Sequence, residues 1–310
     1  MTIYLTHSDC LEHVTPSGHP EQVARLRAIN QRLDRPEFDR LHRIDAPLGT
    51  KQLVSLAHPA QYFDRIQAAC PATGVVSLDG DTHVMNASFN AALRGVGAIC
   101  HAVDLILQAK DTNAFCATRP PGHHAEAETP MGFCLFGTAA IGAKYALKQA
   151  GINRVAVVDF DVHHGNGTQD LVWNDPEIIL VTSQEMPLWP GTGDATERGA
   201  HENVINIPLS AGASGADLMD HYHQNALPAL VAHAPDLLII SAGFDAHCAD
   251  PLAGLAFTTA DYTEITKMLC DFADQHCHGR VVSTLEGGYD LDALADSVAA
   301  HVSVLMEHSR

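Results

Sequence analysis

Four segments of this chain place acids, imidazoles or a tyrosine beside glycine and proline at the ends of short apolar runs. In ATRPPGHH, from Ala117, the two prolines and the glycine stiffen a loop that presents His123 and His124 side by side. A rigid imidazole pair suits proton transfer; the plainer reading is a proline-rich turn with two exposed histidines. The stretch VAVVDFDVHHGNG runs from Val155 to Gly167. Strand alternation puts Asp159, Asp161 and His163 on one side, and a carboxylate and an imidazole two residues apart at a strand end can share one metal ion. Gly165 and Gly167 let the backbone turn into a helix. Three such polar groups are costly to bury without a partner, which favours a metal or catalytic site over a structural polar cluster. LLIISAGFDAH, from Leu237, brings Asp245 to another strand end as the natural third ligand, although an aspartate there on its own reads as a helix cap. In VVSTLEGGY, from Val281, two glycines would let Tyr289 swing into a cleft. Alone, that tyrosine reads as a packing residue.

Elements that could position these groups alternate along the chain. Apolar runs at 114–116, 155–158, 178–181, 237–240 and 281–282 read as buried parallel strands. Helical stretches fill 91–108, 136–149, 217–232, 259–275 and 292–307, so the chain predicts an α/β sheet. With no repeat or linker, residues 1–310 read as one domain. In open parallel sheets ligands bind beyond the carboxyl ends of the strands, which is where the polar segments fall.

Composition narrows the function classes. With 46% hydrophobic and 18% charged residues and no stretch approaching a bilayer span, the sequence predicts a soluble globular protein without a membrane partner. Its start, MTIYLTHSDCLEH, lacks the pattern of a signal peptide, so a cytoplasmic protein is expected. Eight scattered cysteines with no CxxC pair argue against a disulfide framework or a thiolate metal cage. A formal net charge of -19 and the absence of a basic stripe argue against nucleic-acid binding, and are compatible with cationic substrates. A homo-oligomer is left open.

Together the segments resemble the histone-deacetylase superfamily. RPPGHHA, GFCLF, DFDVHHGNGTQ, WPGTGD, SAGFDAHCADPLAG and LEGGYD stand in family order, from HPEQVARL near residue 19 to the last helix. Asn166, where class I members carry aspartate, is similar to the class II branch that includes bacterial histone deacetylase-like amidohydrolases. The resemblance implies an arginase-like α/β domain with a mainly parallel eight-stranded sheet flanked by helices.

It also implies that Asp161, His163 and Asp245 hold one catalytic Zn2+ with a position open for water and the substrate carbonyl. Two carboxylates and a neutral imidazole offset the metal's charge, so the water is acidified less than at an all-histidine site and a protein base is needed. His124, facing the neutral Asn166, starts unprotonated and serves as that base, later protonating the leaving amine. His123, oriented and charge-stabilised by Asp159, is its electrostatic partner, and the two titrations are coupled. Tyr289 would donate to the oxyanion. Gly132, Phe133 and Trp189 would line a narrow apolar channel for an alkyl-amine side chain, with Leu252 at its mouth; ordinary core packing is the plainer reading of the aromatic pair. A structural K+ is implied at Asp159, Asp161, the His163 carbonyl and Thr182, where the family carries serine. Arg25 would line an internal product cavity or lie on a helix surface. Gly137 and Thr138 depart from the family's asparagine pair, which bears on local helix packing.

The expected activity is removal of acetyl or other short acyl groups from acylated amines, acyl-lysine foremost, by water activated at zinc. Three competing readings stand beside it. A binuclear manganese ureohydrolase shares the fold but needs carboxylates where this chain has Gly165 and His247. A zinc-containing acyl-group binder would need neither a base nor an oxyanion donor. An acetylpolyamine amidohydrolase shares the catalytic set, but its relatives use a glutamate gatekeeper where Leu252 stands here.

Overall fold

The computed structural model describes residues 1–108 and 113–309. Its main sheet contains β1 (Thr2–Thr6), β2 (His42–Asp45), β5 (Asn113–Cys116), β6 (Val155–Asp159), β7 (Ile178–Glu185), β8 (Val204–Leu209), β9 (Leu237–Ala242) and β10 (Val281–Leu285). Between β2 and β5 an antiparallel hairpin joins β3 (Val75–Ser77) to β4 (His83–Met85). The main-sheet order is β2-β1-β5-β10-β9-β6-β7-β8, with every neighbouring pair parallel. Eight strands, mainly parallel, are what the resemblance implied.

Central strands such as VAVVD and LLIISA are buried along their whole length. Alternate side chains therefore enter two cores: Val158, Ile240 and Phe115 pack on one face, Val157, Ile239 and Ala114 on the other. Apolar runs without alternation are the mark of strands covered on both faces, which is why the five apolar runs could be read as strands. β2 and β8 carry no comparable run: in β2 three of four residues are exposed, and in β8 Asn206 and Pro208 interrupt the apolar residues.

The expected helices form at Ser88–Leu107, Thr138–Ala146, Thr259–His276 and Leu291–Glu307. The stretch expected over 217–232 is instead two helices, Gly215–His221 and Leu227–His233, joined by a π-turn at Tyr222–Ala226. Pro228 has no N–H to donate to the preceding turn, which accounts for the change of register. Contrary to the expectation that no stretch approaches a bilayer span, Ser88–Leu107 has the length and hydropathy to cross one. It is a core helix, with 72% of its most apolar window buried. Gly97 lets it lie against the chain at Pro47, because a Cβ there would fall 1.9 Å from the Pro47 carbonyl oxygen.

Strand order settles where the chemistry-bearing segments meet. Those segments follow β5, β6, β9 and β10, and these are the four adjacent central strands. Their carboxyl ends therefore open onto one place.

Several core histidines give the fold a pH dependence. His301 is fully buried, its Nδ1 2.7 Å from the Thr266 hydroxyl and its Nε2 2.9 Å from that of Ser283. Thr266 donates to the Tyr262 carbonyl, so Nδ1 carries the imidazole proton and Nε2 accepts. Burial pushes His301 down to about 3, and His13 and His58 to about 4. In the unfolded chain each protonates near ~6.5. Between those limits the unfolded state binds more protons, so stability falls on acidification, by about 1.4 kcal/mol per unit of depression. Denaturant melts at stepped pH are expected to show a loss from pH ~6.5 towards ~4 that His301→Gln makes shallower. A flat profile over that range would contradict this account.

Candidate active site

At the end of β6 the chain turns sharply and buries Asp159, Asp161, His163 and Asn166. Asp161 Oδ1 accepts the His163 N–H at 2.9 Å, and Asp245, from the end of β9, accepts the Val162 N–H at 3.0 Å. Asp161 Oδ2 accepts the Gly287 N–H, after β10, at 2.8 Å. His163 Nδ1 stands 3.3 Å from Asp161 Oδ1 and 3.1 Å from Asp245 Oδ2. Among the described residues these three form the single group of three or more metal-ligating side chains, with ligand atoms within 4.8 Å of one another.

The donor set fits a divalent cation. Two buried carboxylates this close repel unless a positive charge lies between them, and the group packs so closely that side chains are excluded around it. A Cβ on Gly287 would lie 2.1 Å from Asp245 Oδ2, and one on Gly243 2.0 Å from Asp161 Oδ2. Burial opposes charge on His163, yet Asp161 and Asp245 overcome it and push the imidazole up to about 10. Burial and the neighbouring Asp161 raise Asp245. This is a pocket that calls for a cation.

The two histidines after β5 sit beside this group with ring centroids 3.9 Å apart. His123 Nδ1 meets Asp159 Oδ2 at 3.0 Å, and His124 Nδ1 meets Asn166 Oδ1 at 2.8 Å. Asn166 donates its amide N–H to Glu126, so its oxygen faces the ring and His124 Nδ1 must carry the proton. Nε2 of His124 is left with a free lone pair. Burial disfavours charge on both rings, but Asp161 and Asp159 lift His123 well above its ordinary value. Burial, then His123 and His163, depress His124 well below it. The surroundings therefore favour a proton on His123 and the neutral form of His124. Gly165 has to be glycine here, since a Cβ would sit 2.4 Å from Asp159 Oδ2.

A cavity of about 340 Å³ opens above the group. His124, His163 and Tyr289 line its buried end, and Gly132, Phe133 and Trp189 its walls, with Leu252 also in the lining. Phe133 takes a positive φ of 69°, and its ring meets Tyr289 edge to face at 5.9 Å. Trp189 lies edge-on to His124 at 4.7 Å. Gly132 makes this approach possible, as a Cβ would fall 2.5 Å from both His124 and Trp189. Burial and Asp245 raise Tyr289 well above its ordinary value, so its hydroxyl keeps its proton and can donate.

Thr182 lies beside Asp159 as its partner across the β6–β7 ladder, and its hydroxyl donates to Gln184 at 3.2 Å, while the neighbouring Ser183 hydroxyl donates to the Asp159 carbonyl at 3.3 Å. Arg25 is fully buried rather than on a helix surface. It donates to the carbonyls of Gly288 at 2.6 Å and Glu286 at 2.5 Å, and its guanidinium lies 4.9 Å from the Tyr289 ring centre.

Sequence reasoning passed over several residues of the site. His19, which opens HPEQVARL, and Asp81 and His83, from the β3–β4 hairpin and without a motif, share the cavity lining with Leu252. Asp250 accepts the Tyr289 N–H at 2.7 Å and the Leu252 N–H at 3.0 Å, tying the channel's lining to the tyrosine. At the positions where a second metal would need carboxylates stand Gly165, which has no side chain to offer, and His247, whose Nδ1 accepts the Ala249 N–H.

Comparison with known proteins agrees with this geometry. The histone deacetylase domain matches residues 19–305. The chain is 39% identical over 310 residues to the uncharacterized protein slr0245 of Synechocystis, covering 99% of this chain and 100% of that one. It is 33% identical over 278 residues to the histone deacetylase-like amidohydrolase of Pseudomonas aeruginosa, covering 88% and 73%. The crystal structure of the HDA15 HD domain superposes with a TM-score of 0.93 at 33% identity, over 99% of this chain and 88% of that one. Fold and family are those of a deacetylase-type hydrolase. The chain belongs to the histone deacetylase family.

The ligand geometry yields one prediction. Elemental analysis should find one tightly held divalent ion per chain, lost on Asp245→Ala because the remaining pair cannot complete the site. Two tightly held ions per chain would contradict it.

Proposed function

We propose that this protein removes acetyl or other short acyl groups from acylated amines, acyl-lysine foremost, with Zn2+ as its metal. The observation that carries the reading is the unequal pair of imidazoles, His123 on a carboxylate and His124 on an amide, with His124 lining one cavity together with His163 and Tyr289. Asp161, His163 and Asp245 would hold the ion, which when bound polarises the substrate carbonyl and the attacking water.

The chain's own residues do the rest. Phe133 and Trp189 flank an alkyl stem, aligning its amide with the buried end of the cavity. His124 Nε2 takes the proton from the attacking water and returns it to the leaving amine. His123, kept cationic by Asp159, stabilises the negative charge that develops nearby without having to move. The Tyr289 hydroxyl donates to the carbonyl oxygen as it becomes an oxyanion. A structural K+ at Asp159, Asp161, the His163 carbonyl and the Thr182 hydroxyl belongs to the same reading.

Tyr289→Phe removes one hydroxyl and no proposed ligand. It should keep the metal and lower kcat by about 10²- to 10³-fold on an unactivated acetyl-lysine peptide. Near-normal turnover would remove the tyrosine from the mechanism.

Leu252 supports acyl-lysine over acylated polyamines. An apolar side chain on the channel packs against an alkyl stem and cannot attract a remote ammonium. Leu252→Glu should raise kcat/KM for acetylspermidine relative to an uncharged acetyl-lysine peptide by roughly tenfold, about 1.4 kcal/mol, and less at higher salt. An unchanged ratio, or a strong polyamine preference in the wild type, would favour the polyamine reading, with Asp81 as the nearest alternative source of selectivity.

A further inference from the structure

Glu286 takes no part in the reading above, yet it lies where three strand ends of the site converge. Its side chain is fully buried at the carboxyl end of β10. Oε2 accepts the backbone N–H of Gly122 at 2.7 Å and of His123 at 3.1 Å, while Oε1 accepts the Ser241 hydroxyl, from β9, at 2.8 Å. Arg25 bonds the backbone carbonyl of Glu286, so the bonds to the carboxylate come from peptide N–H groups and a hydroxyl. Burial accordingly pushes the carboxyl up to about 7. Keeping a carboxylate in such a place is costly, and apolar packing would fill the space more cheaply.

We propose that Glu286 is a positioning residue that clamps the head of the His123–His124 loop to β9 and β10. The clamp closes on the peptide N–H of His123 itself, and Gly122 is pinned from the other side, where a Cβ would fall 2.2 Å from the Thr138 hydroxyl. Three residues after Glu286 comes Tyr289. The residue that anchors the base loop is thus joined covalently to the proposed electrophile, and it fixes the separation of the two groups that must face one substrate carbonyl. Displacements near 1 Å between such groups can cost about 10²-fold in rate. This inference rests on the deacetylase reading for its kinetic consequence and on hydrogen bonds alone for the clamp.

Two conservative variants separate reach from charge. Glu286→Asp keeps the charge but withdraws the carboxylate by about 1.5 Å, one C–C bond. Glu286→Gln keeps the reach: its amide oxygen can accept both N–H groups while its NH2 donates to Ser241. With the metal-loaded full chain, kcat and KM on an acetyl-lysine peptide should show kcat of Glu286→Asp reduced about 10- to 100-fold with KM little moved, and Glu286→Gln retaining most of its turnover. Hydrogen exchange of the segment 117–125 should show slow amides at Gly122 and His123 in the wild type and Glu286→Gln, and fast ones in Glu286→Asp. The opposite ranking, with Gln inactive and Asp active, would overturn positioning in favour of charge. Fast exchange in the wild type, or wild-type kcat in a Glu286→Asp enzyme that is merely less heat-stable, would overturn the clamp. A wild type inactive on every acylated amine would instead defeat the deacetylase reading, and the exchange measurement would still judge the clamp.

Discussion

Two carboxylates buried side by side, Asp161 and Asp245, are the constraint on which this structure turns. Each ends a turn after an adjacent central strand, β6 and β9, and neither has room to retreat. Like charges at this range in a poorly solvated place need a cation, which explains the imidazole of His163 between them and the fit of the group to a divalent ion. The glycines follow from the same crowding. Gly243 and Gly287 leave space that a methyl group would deny, so the segments SAGFD and LEGGY carry glycine for contact with carboxylates as much as for turning.

Positive charge is supplied from beneath as well. Glu21 is fully buried and accepts Arg119 through both oxygens at 2.7 and 2.5 Å, with Arg25 at 3.3 Å. Burial alone would raise this carboxyl, but Arg119 holds it down at about 2. One carboxylate shared by two guanidiniums leaves a surplus of positive charge. Arg25 directs it at the backbone that carries Tyr289, where the guanidinium also lies over the ring. The arginine in HPEQVARL is therefore part of the site's support.

What could be read in the sequence divides along physical lines. Strands buried on both faces announce themselves as apolar runs, and the polar residues that end them, Asp161 and His163 above all, stand out against that background; Asp245, His123, His124 and Tyr289, each with a plainer reading alone, draw their weight from the family order of the motifs. β2 and β8 were not legible, because an exposed or half-exposed edge strand carries no such run. Thr182 and Ser183 differ by one residue, and the pairing of β7 with β6 sets Thr182 opposite Asp159 while the Ser183 hydroxyl reaches the Asp159 carbonyl. Glu286 was hidden for another reason. Its partners are backbone N–H groups 164 and 163 residues away, and a backbone donor leaves no mark in the sequence. Asp81, His19 and His83 reach the cavity through the β3–β4 hairpin and the first loop, whose approach depends on tertiary packing.

The pair of histidines shows how the same crowding is put to use. Two imidazoles with ring centres 3.9 Å apart cannot both be protonated cheaply, and the chain breaks the tie with a single difference between their partners. Asp159 is a carboxylate and settles the charge on His123; Asn166 is its neutral counterpart and fixes the tautomer of His124 without charging it. That assignment then reinforces itself, because the cation on His123 is among the forces that keep His124 neutral. An acid in place of Asn166 would weaken the asymmetry by offering the second ring a reason to protonate, and the separation of roles would then rest on the metal and on His163 alone.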